Sequence, residues 1–363
     1  MSEEKIVIDA WASNKIDNYD HVFKKFGLEK FNDYDLSDHY LFSRKIIIAQ
    51  RDFNKIRKAI ENKSKFLQLT GIASSGDLHF GHKIDVDLFL LFKQLGATSK
   101  FCICDIDAYV SREDSKVKDM VTAKEIAVKN VSDIIALGVD PEDIYVQSQK
   151  EKEYYQFSYE ISKKITQNMF EAIYGHVNLG KMSSVFLQIS DILHMQLPFM
   201  YGKAPEITGI GLDQDPHARI TRDVSKRVNY DIEVPSFFYF VHQSGLKEGE
   251  KMSSSDPDTA IFLNDSLDSA KKKINKAFTG GCVTIEEQKE KGGNPEICKV
   301  YEMFKFHHPD NDFLEKRYKD CKSGKILCGE CKKSCSEFVC KFLEDHKKKR
   351  DLALDTAKKI VYG

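Results

Sequence analysis

The chain has 363 residues, 41% hydrophobic and 31% charged, with 55 basic against 56 acidic side chains. At roughly 150 residues per domain, that length predicts two domains with room for an extension and allows a sizeable buried core. The densest apolar run, Val86–Phe92, is broken by Asp87 and falls well short of the ~18–20 residues of a membrane span. A net charge of -1 removes a globally basic surface as an argument for nucleic-acid binding but leaves local patches open. The opening Met1-Ser2-Glu3-Glu4-Lys5 lacks the basic and then apolar profile of a signal peptide. Nine cysteines, an odd number, are therefore expected as reduced thiols in a cytoplasmic protein.

Residues 1–60 read as an N-terminal extension: polar at first, aromatic from Phe23 to Phe42, then basic over Arg44–Lys58. Regular alternation begins at Phe66-Leu67-Gln68-Leu69, a strand that runs into Thr70-Gly71 and a loop of small residues. A helix is predicted over Gly81–Leu95, stopping at Gly96. A strand at Phe101–Cys104 ends on Asp105 and Asp107. A second helix over about Val117–Leu137 stops at Gly138, and Ile144–Val146 is the next strand. This spacing is the βαβ signature of a parallel sheet. Residues 151–205 interrupt it with helical patterns, an insertion between two halves of one sheet. Alternation resumes with Ile207–Leu212, a helix over Pro216–Val228 started by Asp215 as cap, and the aromatic strand Phe237–Phe240. Past Asp256-Pro257 charged residues dominate, with helical periodicity over Ser266–Phe278 and Ser334–Lys349. The domain boundary is placed near residue 260.

Three segments carry chemistry. In Ser74-Ser75-Gly76-Asp77-Leu78-His79-Phe80-Gly81-His82, two histidines three apart share a face at a helix start. The glycine between them removes a side chain where a flat ring could approach. The free N–H groups and dipole of a helix start favour phosphate. Lys251-Met252-Ser253-Ser254-Ser255 places an ammonium beside hydroxyls in a loop, suited to follow charge building on a phosphate. Gly209-Ile210-Gly211-Leu212-Asp213-Gln214-Asp215-Pro216 leaves a strand with carboxylate and amide groups that suit adenosine and a polar substrate at the carboxyl ends of the sheet.

A His-x-Gly-His motif after the first strand and a Lys-Met-Ser-x-Ser loop near the end of the sheet define the class I aminoacyl-tRNA synthetases, and this chain matches both in order. The stretch Gly211–Asp223, with Lys251–Pro257, Ala277–Gly281, Thr284–Glu287 and Gly292–Asn294, resembles tryptophanyl-tRNA synthetases of the archaeal and eukaryotic type. The resemblance runs from about Phe66 to the C-terminus.

It implies an α/β fold. A doubly wound, Rossmann-like parallel-sheet catalytic domain (61–260) would carry a helical insertion at about 151–205. An all-helical anticodon-binding domain (261–350) and a tail (351–363) would follow. It implies activation of L-tryptophan with ATP and Mg²⁺, transfer to the 3′ end of tRNA(Trp), and a homodimer. His79, His82, Lys251, Ser253 and Ser254 would be the catalytic donors. Thr70, Gly71, Ser74, Gly81, Gly211, Asp213 and Met252 would line the ATP site. Asp107 and Gln188 would hold the α-ammonium group, with Gln214 nearby.

Leu69 and Cys102 stand where eukaryotic enzymes carry a Tyr and a Gln for the indole nitrogen. Asp191, in a local pattern shared with bacterial enzymes, is taken as the indole acceptor, with a helix-capping role as its structural alternative. An Asp there also fits tyrosyl enzymes, the runner-up. A catalytically idle paralogue and a small-molecule adenylate-forming ligase are the readings from other classes.

From Cys321 to Gly363, 11 Lys and Arg face 6 Asp and Glu. Lys347–Arg350 and Lys271–Lys273 are the densest clusters, suited to salt-sensitive backbone contacts with tRNA. Cys328, Cys331 and Cys335 fall on one helical stripe, with Cys340 beyond. They lack a second separated cysteine pair, so no structural zinc is expected.

Overall fold

The computed structural model describes residues 23–24, 26–111, 116–249, 252 and 256–363. Lys251, Ser253 and Ser254 lie outside the described residues. Seven strands form one sheet: β1 (Glu29–Lys30), β2 (Ile47–Arg51), β3 (Leu67–Ala73), β4 (Thr98–Cys104), β5 (Ile144–Val146), β6 (Glu206–Gly211) and β7 (Ser236–Phe240). Their order is β1-β2-β7-β6-β3-β4-β5, with β3 to β7 parallel and β1 and β2 antiparallel at one edge. The chain leaves β3 towards β4 and β5, then returns to β6 on the other side of β3. The carboxyl ends of β3 and β6 thus form a topological switch point, where such sheets bind ligands. The parallel strands are largely buried on both faces, and every residue of β7 is buried.

The helices that matter here are α1 (Asn54–Glu61), α2 (Phe80–Gln94), α3 (Asp105–Val110), α4 (Met120–Ala136), α5 (Lys152–Ser162), α6 (Gln167–Tyr174) and α7 (Leu179–Leu193). They continue with α8 (Asp215–Ser225), α9 (Leu267–Lys276), α10 (Ile285–Lys291), α11 (Lys299–His307), α12 (Asn311–Lys322) and α13 (Cys328–Tyr362). The expected stop signals act as the sequence suggests. Gly96 and Gly138 follow α2 and α4 with φ of 102° and 112°, a region that costs residues with a Cβ. α3 was absent from the pattern because six residues are too few to show a period.

Three expectations change. The extension does not end as a separate piece at residue 60, since β2 pairs with β7 and Arg51 holds Asp215 at 2.8 Å. Asp215 is accordingly not a cap; it is the first residue of α8, and Arg51 and the Tyr239 hydroxyl (2.7 Å) claim its carboxylate. The C-terminal segment has no separate core or loose tail. One apolar cluster joins Phe80, Phe89 and Ile103 to Phe304, Val339 and Val361. The 35-residue α13 continues to Tyr362, locked to α4 by a buried His346–Asp133 pair at 2.9 Å.

Glu206 opens β6 fully buried, with one carboxyl oxygen accepting from Gln196 at 2.9 Å and the other without a partner. Burial pushes its carboxyl up to about 8, against the Gln196 hydrogen bond. A raised acid binds its proton more tightly when folded, so this group costs stability as pH rises from its unfolded value through about 8. Glu206→Gln keeps the acceptor for Gln196 and removes the titration. It is expected to raise Tm by several degrees at pH 8 and by little at pH 4.5, checked by calorimetry at both.

Candidate active site

The first turn of α2 is built around two rings. His79 is the N-cap, and its Nδ1 accepts the Gly81 backbone N–H at 3.1 Å. The His79 backbone N–H donates to His82 Nδ1 at 3.2 Å, and the ring centroids are 4.0 Å apart. With both Nδ1 atoms accepting, each imidazole keeps its proton on Nε2. The helix start therefore fixes two N–H donors by its own capping. Burial, then the proximity of His242, lowers His79 to about 4, so it stays neutral. Gly81 is needed within the turn itself: a Cβ there would meet the His79 ring at 2.8 Å. The approaching flat ring is the neighbouring imidazole.

A short antiparallel contact joins this turn to the segment after the Lys251 motif. Phe80 N–H donates to Ile261 C=O at 3.1 Å, and Leu263 N–H to Leu78 C=O at 2.9 Å, with His79 opposite Phe262. Leu246 N–H to Thr259 C=O, 2.8 Å, closes the base of the loop. Met252, the described member of the motif, has its sulfur 3.7 Å from where a Gly81 Cβ would stand. Met252 thus reaches the histidine turn.

At the end of β6, Gly211 leaves room for His242, whose Nε2 would lie 1.9 Å from a Cβ and which meets Asp213 Oδ1 at 3.1 Å. Gln214 turns back to Asp213 at 3.4 Å. Asp85, one turn into α2 from His82, is pushed up to about 7 by burial and by Asp213 and Asp87, against His242. Thr70 is buried in β3, and Gly71 is open to the surface beside it. The Ser74 hydroxyl is buried without a partner, while its N–H reaches Cys104 C=O at 3.4 Å.

A second cluster lies at the ends of β4 and β5. Asp191, buried on α7, accepts from Tyr145 (2.8 Å), Tyr154 (2.7 Å) and Gln147 (2.7 Å). Gln147 also accepts the Asp107 backbone N–H at 3.0 Å, which joins Asp107 to Asp191. Burial pushes Asp191 up to about 6, with these hydrogen bonds opposing. Gln188 sits half-buried one turn before Asp191 on the same helix. Tyr145, Tyr154, Gln147 and His242 were not singled out from the sequence. Gln147 alone carried a signal, as a polar residue just past the carboxyl end of an apolar strand.

Elsewhere, Cys328, Cys331 and Cys335 follow one stripe of α13, and all nine cysteines are free thiols. Cys331 also faces Cys298 and Cys321, while Cys340 stands apart against Leu267. Among the described residues, only Cys102, Cys104 and Asp191 approach closely enough to share a metal ion. Among the described residues, no helix is long and apolar enough to cross a membrane.

Residues 61–344 match the family model of class I tRNA synthetases for W and Y. The tryptophan–tRNA ligase of Methanocaldococcus jannaschii is 39% identical over 366 residues, covering 97% of each chain. That of Aeropyrum pernix is 37% identical over 374 residues, covering 99% of each. The crystal structure of tryptophanyl-tRNA synthetase from Aeropyrum pernix K1 superposes with a TM-score of 0.87 at 37% identity, covering 97% of this chain and 98% of that one. The Plasmodium falciparum tryptophanyl-tRNA synthetase gives 0.83 at 26% identity, covering 95% of each.

Because the His79 value is lowered, its stabilising contribution is complete above the ordinary histidine range and is lost as pH falls through about 4. An NMR titration of the His79 ring is expected to show its midpoint near pH 4. In Gly81→Ala the ring is forced out and the midpoint moves towards the ordinary value.

Proposed function

The chain belongs to the class I tRNA synthetases of the tryptophan and tyrosine family, and from that premise we propose how its cleft works as a tryptophan–tRNA ligase. The enzyme joins L-tryptophan to ATP as tryptophanyl-adenylate, releasing pyrophosphate, and passes the aminoacyl group to the 3′ end of tRNA(Trp). The tyrosyl alternative is not favoured, since relatives alike over nearly the whole chain are tryptophan–tRNA ligases.

The amino-acid carboxylate is ionised near neutral pH, so activation needs no general base. It needs alignment on the α-phosphorus and donors aimed at charge developing on phosphate oxygens. The Nε2–H groups of His79 and His82 are such donors, held by the capping of α2. Lys251, Ser253 and Ser254 would add an ammonium and two hydroxyls from the loop that Met252 brings to Gly81. Thr70, Gly71, Ser74, Gly211 and Asp213 would line the nucleotide's side of the cleft. Mg²⁺ would arrive on the triphosphate and supply positive charge; no carboxylate trio at ligand spacing stands beside His79 among the described residues.

Asp107, Gln188 and Gln214 would hold the polar end of tryptophan. Asp191 would take the indole N–H in place of the weak Cys102 S–H donor, beside the bonds it accepts from Tyr145, Tyr154 and Gln147. The exposed lysines Lys271, Lys272, Lys347 and Lys348 are suited to tRNA backbone contacts from the helical region, which would bind the anticodon. Tyr159 and Leu179, both 79% exposed on insertion helices, suit the homodimer contact. A cytoplasmic location fits free thiols throughout.

The observation that carries this reading is the backbone pairing of Leu78–Phe80 with Ile261–Leu263, which brings the segment following the lysine motif against the histidine turn. Pyrophosphate exchange is expected with tryptophan and to fall at least roughly a hundredfold in kcat/KM with tyrosine. Lys251→Ala or His82→Ala should cut kcat of exchange by about 10²–10³. Equal exchange in both variants would remove the catalytic assignment. The tryptophan KM should fall as pH rises through about 6 and then level. Asp191→Asn should flatten that step and raise KM; an unchanged profile would assign the indole to another group.

A further inference from the structure

Cys102 and Cys104 are two apart on β4, so both side chains fall on one face of the strand, turned towards α7. Their sulfurs are 3.3 Å apart, and each lies within 4.8 Å of the other and of an Asp191 carboxylate oxygen. Position 71 makes the room for them. A Cβ on Gly71 would stand 3.2 Å from Cys102 Cβ and 3.3 Å from Cys104 Sγ. Asp191 is held in place by Tyr145, Tyr154 and Gln147, the kind of outer support that orients a carboxylate ligand.

We propose that Cys102, Cys104 and Asp191 form a binding site for one thiophilic divalent cation, such as zinc, that lies in the amino-acid pocket and excludes tryptophan when filled. Two sulfurs bound to zinc at about 2.3 Å in a tetrahedron lie about 3.8 Å apart, so the thiols need only part by a few tenths of an ångström. Binding replaces two S–H bonds by two metal–sulfur bonds and releases both protons to solvent. No oxidant or reductant is consumed. Two thiolates and a carboxylate leave the fourth coordination position to water, the pattern of an open site rather than a closed structural one. A disulfide is the less favourable product of the same pair. Residues two apart on a strand sit near the upper limit of Cα separation that a disulfide spans, with their Cβ vectors parallel.

The metal site stands on this geometry alone; the exclusion of tryptophan rests on the pocket assigned above. The test uses the intact protein, reduced and metal-free, titrated with Co²⁺ and read by thiolate-to-cobalt charge-transfer absorbance. Wild type should show a component that is absent in both Cys102→Ser and Cys104→Ser, over a background from other cysteines that the variants retain. L-tryptophan added to wild type should abolish the same component, a measurement that needs no variant. In exchange assays, Zn²⁺ should raise the tryptophan KM about tenfold or more with kcat unchanged, and Cys104→Ser should lose that dependence. A charge-transfer spectrum identical in wild type and both variants overturns the site. A component lost in the variants but indifferent to tryptophan keeps the metal site and overturns the location of the amino-acid pocket.

Discussion

The contact between the histidine turn and the segment after the lysine motif is made by a few backbone hydrogen bonds between Leu78–Phe80 and Ile261–Leu263. They join two regions far apart in the chain, one carrying the imidazoles and the other following the lysine loop. Closing so long a loop is costly in entropy, and three residues of pairing would not hold it. The apolar cluster beneath does. Leu78, Phe80, Ile261 and Leu263 are all buried in it with residues of α4, α11 and α13. The helical C-terminal segment is therefore part of what holds Ile261–Leu263 in register with the histidine turn.

The same economy governs protonation. A histidine pair meant to donate to phosphate must carry its protons on the outward nitrogens. Each Nδ1 accepts a backbone N–H of the helix start, so folding of α2 selects the tautomer. Burial of His79 then keeps the ring neutral, trading the stronger attraction of a cation for a donor whose position does not shift with pH.

Much of this was legible in the chain itself. Apolar runs ending at glycines or acids gave β3, β4, β6 and β7, and the motif order gave the family. What was not legible has a common physical cause: side chains that act through neighbours distant in sequence. Asp215 followed by Pro216 has every local mark of a helix cap, yet Arg51 and Tyr239 from the sheet edge take its carboxylate. At Gly81 and Gly211 the missing Cβ leaves room for the rings of His79 and His242, contacts that the local pattern does not display. Residues 47–60 looked like an extension because an antiparallel edge strand leaves no βαβ period behind. Tyr145 and Tyr154 looked like ordinary apolar positions until α7 set Asp191 against both.

That last cluster also bears on how one amino acid is told from another. A buried carboxylate is costly unless its lone pairs are filled, and Tyr145, Tyr154 and Gln147 fill three of about four. The fourth is met by the weak Cys102 S–H donor; in the proposed pocket it would accept an N–H or an O–H alike, so Asp191 by itself would not separate an indole from a phenol. Discrimination has to come from shape, because leaving that one position unmatched penalises a ligand that cannot donate, not one that donates from a different atom. Leu69 and Cys102, both buried and without a charged group, would bear on that shape in the proposed pocket. Specificity in the proposed pocket would then be divided between a polar anchor held by Tyr145, Tyr154 and Gln147 and an apolar slot to which those two residues contribute.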